Sequence, residues 1–172
     1  MELYFLRHAI AVQRGHPKYT NDAQRPLTAQ GAQKMSCAAH GMRTLGLSFD
    51  AILCSPYVRA RQTAQIITRV FQTPKIKINF TNNLVGNTPL EELWQEILTL
   101  SSKSKKILLV GHQPHLTEFM SYLLKSEKPI PINLKKGALA HLSCPDSCGP
   151  TPAVLNWVLT ASQLCLISPE AI

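Results

Sequence analysis

Two short apolar runs end in the same way, and that recurrence constrains the fold more than any other feature of the chain. Leu3-Tyr4-Phe5-Leu6 stops abruptly at Arg7-His8, and Ile107-Leu108-Leu109-Val110 passes through Gly111 into His112. Runs of aliphatic and aromatic residues of this length read as strands buried on both faces. The polar residues that end them then lie at the carboxyl edge of a sheet, where ligands bind in open α/β folds. Two strand-end histidines with arginines nearby point to phosphate chemistry on imidazole. For either histidine alone, satisfaction by backbone groups is the plainer reading.

The rest of the chain alternates strand and helix signals. After a strand from Glu2 to Arg7 comes a polar loop through Pro17, Asn21, Asp22 and Pro26. Thr28 then N-caps a helix to about Leu45, with Gly46 at its end. Ala51 to Cys54 is a second strand; Ser55-Pro56 caps and starts a helix to about Phe71, with proline at the favoured first position. Ile76 to Phe80 is a third strand, and Pro89 starts a helix reaching about Leu100. Lys106 to Gly111 is the next strand, followed by a helix from about His115 to Leu124 and a basic loop from Lys125 to Gly137. Strands near Ala138 to Cys144 and Val154 to Thr160 flank the loop Pro145 to Pro152 as a hairpin. This order predicts a three-layer α/β/α sandwich with a mostly parallel central sheet. No repeat or linker interrupts it. The 172 residues are expected to form one domain, 1–172, large enough to bury about 70% of the unfolded surface.

Composition narrows the function classes. Apolar residues make up 45% and charged residues 16%, an ordinary globular profile. No segment approaches the roughly 20 apolar residues of a membrane span, and Arg7 and His8 interrupt any secretory signal after six residues. A cytoplasmic protein with no membrane partner is expected. The five cysteines are scattered, so reduced thiols are expected. Cys54 reads as a small buried hydrophobe. Cys144 and Cys148 are close, but no second ligand pair stands at zinc spacing, so no metal is expected. A net charge of +8 favours acidic or phosphorylated partners. The lysines of 103–106 and 125–136 read as solvated loop charges, and no aromatic-interleaved basic stretch supports nucleic-acid binding.

Arginine suits a phosphoryl group because its planar fork donates bidentately and stays charged. On the helix after Ser55, Arg59 shares a face with Thr63, Ile66 and Val70, at the edge of the buried stripe. Arg61 shares the solvent face with Gln65, Thr68 and Gln72. Arg59 also lies in the first turn, where free N–H groups and the helix dipole favour an anion; an arginine snorkelling from a helix edge is the alternative. His8 is assigned as nucleophile, kept neutral by nearby arginines. Arg7 and Arg59 would bind the non-bridging oxygens, and His112 would stabilise charge in the transition state. No cofactor is needed, since the arginines supply the positive charge.

These residues resemble the histidine phosphatase superfamily, with the phosphoglycerate mutase-like fold. Its Arg-His-Gly signature at the end of strand one appears as Arg7-His8-Ala9, with alanine in place of glycine. Ser55-Pro56-x-x-Arg59-Ala60-x-Gln62-Thr63-Ala64 matches the arginine-bearing helix start, and Gly111-His112 the second histidine. The similarity spans about Met1 to Cys165. The short chain and Arg25-Pro26-Leu27-Thr28 are most similar to the small SixA-type phosphohistidine phosphatases. That resemblance implies metal-independent removal of phosphate from a histidine phosphotransfer protein, with Arg25 lining the substrate groove. A loop arginine leading into a helix cap is the rival role for Arg25.

One absence bears on the substrate. Mutase-like and broad phosphomonoesterase members carry a glutamate acid after the third strand, whereas Asn83 to Asn87 contains no carboxylate. Glu91 and Glu92 fit an exposed first helical turn. An alkoxide leaving group needs a proton, while imidazole leaves phosphohistidine already protonated. A phosphohistidine substrate is therefore expected. A small ester or pyrophosphate, or a non-catalytic phospho-binding module, is the alternative. His16 and His40 read as surface residues, His141 as a strand residue without a visible partner, and His115 as helix-start packing.

Overall fold

The computed structural model describes residues 1–72, 76–145 and 151–168. Six strands, β1 (Glu2–Arg7), β2 (Ala51–Cys54), β3 (Ile78–Phe80), β4 (Lys106–Gly111), β5 (Leu139–Ser143) and β6 (Val154–Leu159), form one sheet. Their order is β3-β2-β4-β1-β5-β6. The first four run parallel, β5 is antiparallel to β1, and β6 is antiparallel to β5. The helices are α1 (Ala29–Thr44), α2 (Val58–Phe71), α3 (Leu90–Ser101), α4 (His115–Leu123) and α5 (Ala161–Ile167).

Strand alternation divides the core into two. Leu3, Phe5, Leu53, Ile107 and Leu109 pack on one face beneath Leu93 and Ile97 of α3 and Leu116 and Phe119 of α4. Tyr4, Leu6, Ile52, Leu108 and Val110 pack on the other beneath α1, α2 and α5. Both faces are covered, which is why the central strands are continuous apolar runs. The expected three-layer α/β/α sandwich is the observed fold, and the β5–β6 hairpin is present.

Several local details differ from expectation. Helix α2 begins at Val58, so Ser55-Pro56 does not cap it. Ser55 N–H still donates to Val110 O at 2.9 Å, which keeps the chain on the sheet until it turns at Tyr57. Strand β3 starts at Ile78 rather than Ile76. Helix α5 was not expected, because Thr160 was read as strand. It is instead the N-cap of a capping box whose Thr160 and Gln163 satisfy each other's N–H groups. His141 has a partner after all: β1 and β5 place it against the Glu2 carboxylate and stacked on Tyr4 at 4.6 Å. Cys54 and Cys144 are buried free thiols, and Cys148 lies outside the described residues.

Helix α1 approaches its neighbours through glycine. A Cβ at Gly41 would stand 1.8 Å from the Leu164 carbonyl oxygen of α5, and one at Gly31 would stand 2.0 Å from Ile10 O. Backbone cannot rotate away as a side chain can, so Gly41→Ala must push α5 off α1. We expect a loss of about 2 kcal/mol in denaturant unfolding. A loss below about 0.5 kcal/mol, within the range of a neutral surface change, would show that the contact is not tight.

Candidate active site

The parallel register of β1 and β4 pairs Arg7 with Gly111, so His8 and His112 leave the sheet side by side. His8 N–H donates to Gly111 O at 3.1 Å, and the imidazole centroids are 5.1 Å apart. Helix α2 brings Arg59, 4% exposed, to the same point, where its Nε donates to His8 Nε2 at 3.2 Å. The neighbouring residues of that helix hold the surrounding loop. Thr63 Oγ1 accepts from Ala9 N–H at 3.1 Å and donates to Arg59 O at 2.7 Å. Gln62 Oε1 accepts from Leu27 N–H at 2.7 Å, while Ala60 and Ala64 enter the core. Arg61 points outward, as its helical phase predicted.

Hydrogen-bond partners fix the tautomer of His8 and hold the ring of His112. The Ala9 carbonyl lies 2.7 Å from His8 Nδ1, so Nδ1 carries the hydrogen and Nε2 presents a lone pair. At His112, Nε2 is 2.7 Å from Ser55 Oγ. That hydroxyl oxygen also accepts from Tyr57 N–H, which holds it beside the His112 ring. His112 Nδ1 and Arg7 Nε are buried nitrogens without a hydrogen-bond partner among the described residues. Burial, reinforced by the positive charges of Arg59, Arg7 and Lys136, pushes His8 down to about 3. Burial, then His8 and Arg59, pushes His112 down to about 3 as well. Nearby arginines do depress His8 as expected, but burial is the larger cause.

A cavity of about 240 Å³ is lined by Arg7, His8, Arg25, Arg59, His112 and Lys136, among others. All five expected site residues therefore converge. Arg7 Nη1 donates to Leu134 O at 3.0 Å, so the loop after α4 forms a wall of the cavity. Lys136, read from sequence as a solvated loop charge, lies on that wall. Arg25 lines the cavity, and it pairs with Asp22 at 2.7 Å, three residues ahead of the Thr28 N-cap of α1.

Asp22 was overlooked in the sequence. Its carboxylate accepts from Arg59 Nη2 at 2.9 Å and from Arg25 Nε at 2.9 Å, while its carbonyl accepts from Arg59 Nη1 at 2.7 Å. Burial alone would raise the Asp22 carboxyl, but the bonds from Arg25 and Arg59 prevail and hold it near 2. Tyr57 was also missed; its ring lies 4.9 Å from the Arg59 guanidinium and 5.0 Å from the His112 ring. An N-capping Asn21 and the short 3₁₀ turn Asp22–Gln24 were the only local signals for this loop.

The described residues that line the cavity include no carboxylate. Glu91 and Glu92 occupy the exposed first turn of α3, as expected. Glu96 reaches back to the loop after β3, but it is held there by Thr81 Oγ1 at 2.7 Å and Asn83 Nδ2 at 3.1 Å. His115 Nε2 is occupied by Asn83 O at 2.8 Å, which agrees with a packing role. Ala9 belongs to the core beneath α1 and α2 and does not line the cavity, so its methyl group does not crowd the site.

These ring environments carry a pH dependence. Unfolded imidazoles titrate near about 6.5, whereas folded His8 and His112 titrate near about 3. Between those values the unfolded chain binds more protons, so stability is full above about pH 7 and falls as pH drops toward 3. Unfolding midpoints across this range should fall less steeply in His8→Asn/His112→Asn, by up to about two protons. Equal slopes in both proteins would contradict the assignment.

Comparison with known proteins agrees with this geometry. The family model of the histidine phosphatase superfamily (branch 1) matches residues 3–84. An uncharacterized protein of Picosynechococcus sp. is 36% identical over 146 residues, covering 83% of this chain and 84% of that protein. The structure of the protein histidine phosphatase SixA complexed with tungstate superposes with a TM-score of 0.82 at 20% identity, over 95% of this chain and 99% of that one. The α-ribazole phosphatase of Shigella flexneri superposes at 0.69 with 18% identity, over 94% and 97%. With two strand-end histidines and a buried arginine gathered at one cavity, and with the family model matched, this chain belongs to the histidine phosphatase superfamily.

Proposed function

We propose that the chain is a phosphohistidine phosphatase, acting on a histidine phosphotransfer domain in phosphorelay signalling. The observation that carries this reading is the absence of a carboxylate from the described cavity lining. Asp22, the acid beside it, is held near 2 by its arginines and has no proton to give at neutral pH. An alkoxide would leave such a site poorly. A phosphohistidine protonated on its free ring nitrogen leaves as neutral imidazole and needs no acid. The likeness to SixA supports the same substrate class.

The residues then have defined roles. His8 Nε2 attacks phosphorus while the substrate P–N bond breaks and its electron pair returns to the leaving imidazole. The Ala9 carbonyl keeps the hydrogen on Nδ1, so Nε2 stays available. Arg59 Nε, which bonds the His8 lone pair in the free protein, turns to the phosphoryl oxygens together with Arg7. Nδ1–H of His112 donates to an equatorial oxygen as charge spreads over it. Water then attacks phosphorus, the P–Nε2 bond breaks with its electron pair returning to Nε2, and both water protons leave on dihydrogen phosphate. Positive charge for these steps comes from Arg7, Arg25, Arg59 and Lys136, and this is the basis for expecting activity without a metal.

A second reading, a small-molecule phosphomonoesterase, draws on one feature. Arg14 and Arg25 are shared with a neighbouring hollow of about 400 Å³ that includes His16, Pro17 and Tyr19, room enough for the body of a small ligand. The likeness to α-ribazole phosphatase fits that reading.

Phosphate release from a phosphohistidine-bearing phosphotransfer domain, with EDTA present and a sugar phosphate in parallel, separates the two. We expect wild type to turn over the protein and leave the ester nearly untouched. His8→Ala should lose about a thousandfold or more in kcat. Turnover of the ester alone would favour the small-molecule reading. Silence on both would leave a phospho-binding module.

A further inference from the structure

On the far side of α2 from the catalytic residues, an open groove of about 820 Å³ runs between this helix and the edge strand β3. Arg61, Gln65, Arg69 and Gln72 line one wall, Ile78 and Phe80 the other, and the described residues of the lining include no carboxylate. We propose that this groove docks an acidic segment of the phosphorylated protein substrate, an inference that rests on the protein-phosphatase reading above.

The two arginines differ from those of the catalytic cavity. Of the four that line that cavity, Arg14, Arg25 and Arg59 are paired with Asp22, and Arg7 is held by the Leu134 carbonyl. Arg61 and Arg69 are exposed, and among the described residues neither forms a salt bridge with a carboxylate. A solvated arginine alone would mean little. Here Arg61 lies over the Phe80 ring at 5.3 Å, and Phe80 is 50% exposed. An outward-facing aromatic ring with arginine stacked on it has the composition of an interface anchor. Flanking glutamines and a second arginine extend the surface toward acidic and hydrogen-bonding groups.

The groove also opens at the correct edge of the sheet. Phe80 is in register with Cys54, Cys54 with Val110, and Val110 with Leu6. Its upper end is thus level with the catalytic histidines, three strand spacings or about 14 Å from His8 and two spacings from His112. A standard interface of about 800 Å² per partner extends about 16 Å from its centre. A protein presenting phosphohistidine to His8 would cover the Arg61 and Phe80 end of the groove, and an acidic segment continuing from there would follow it to Arg69, whereas a small phosphoramidate would not reach it. Arg61 and Arg69, eight residues apart on one helix, set two cationic points about 12 Å apart for the partner's carboxylates.

The test compares two substrates, a phosphohistidine-bearing phosphotransfer domain and phosphoimidazole. In Arg61→Glu/Arg69→Glu, kcat/KM for the protein should fall at least tenfold, chiefly through KM, with phosphoimidazole hydrolysis within twofold of wild type. Phe80→Ser, with the charges intact, should show the same split at smaller size. Added salt should raise the wild-type KM for the protein and leave the charge-reversed variant nearly unaffected. A loss below twofold on the protein, or equal losses on both substrates, would overturn the docking groove. Wild type that hydrolyses phosphoimidazole but not the phosphorylated domain would overturn the protein-substrate reading, and the groove with it.

Discussion

Arg7 and Gly111 face each other across β1 and β4, and the site depends on that pairing. Both strands are buried on both faces, so their register is set by two apolar surfaces at once. A slip of one residue would exchange Leu3 and Phe5 with Tyr4 and Leu6 between the two helical layers. It would also carry His8 away from His112. The packing that stabilises the sheet is therefore the packing that spaces the two imidazoles.

Around this pair the chain concentrates positive charge. Arg7, Arg25, Arg59 and Lys136 surround two neutral rings, and burial pushes Arg7 and Arg59 below the usual guanidinium range. Unpaired charges at that depth would be costly. Asp22 offsets part of the cost and orients Arg59 through both its carboxylate and its backbone carbonyl. Thr63, Gln62 and Ser55 do comparable work on the backbone and on His112. In the proposed reaction a phosphoryl dianion entering such a pocket meets Arg7 at hand, while Arg59 exchanges its bond to His8 for the phosphoryl oxygens.

Most of this was legible from sequence because it follows from local patterns. Apolar runs marked the strands, and a 3.6-residue period separated Arg59 from Arg61. The alternation of elements implied a parallel sheet with its site at the carboxyl edge. Other features depended on distance across the fold. Asp22 looked like one polar residue in a polar loop, and only the folded chain brings it to α2. Lys136 belonged to a run of lysines with no local sign that one would turn inward. Helix α5 could have been read from the Thr160-x-x-Gln163 capping box, but strand residues immediately before it obscured the signal. Ser55 was misjudged because its position before a helix suggested a cap, whereas its hydroxyl is committed to His112.

The two histidines take opposite parts in the proposed reaction. His8 offers electrons from Nε2, and His112 offers a hydrogen from Nδ1 while Ser55 occupies its other nitrogen. In the proposed reaction a phosphoryl group on His8 has no second acceptor beside it, despite an imidazole centroid only 5.1 Å away. Water is then the onward acceptor. On the proposed reading, a site built from two histidines drains phosphate out of a phosphotransfer chain instead of forwarding it.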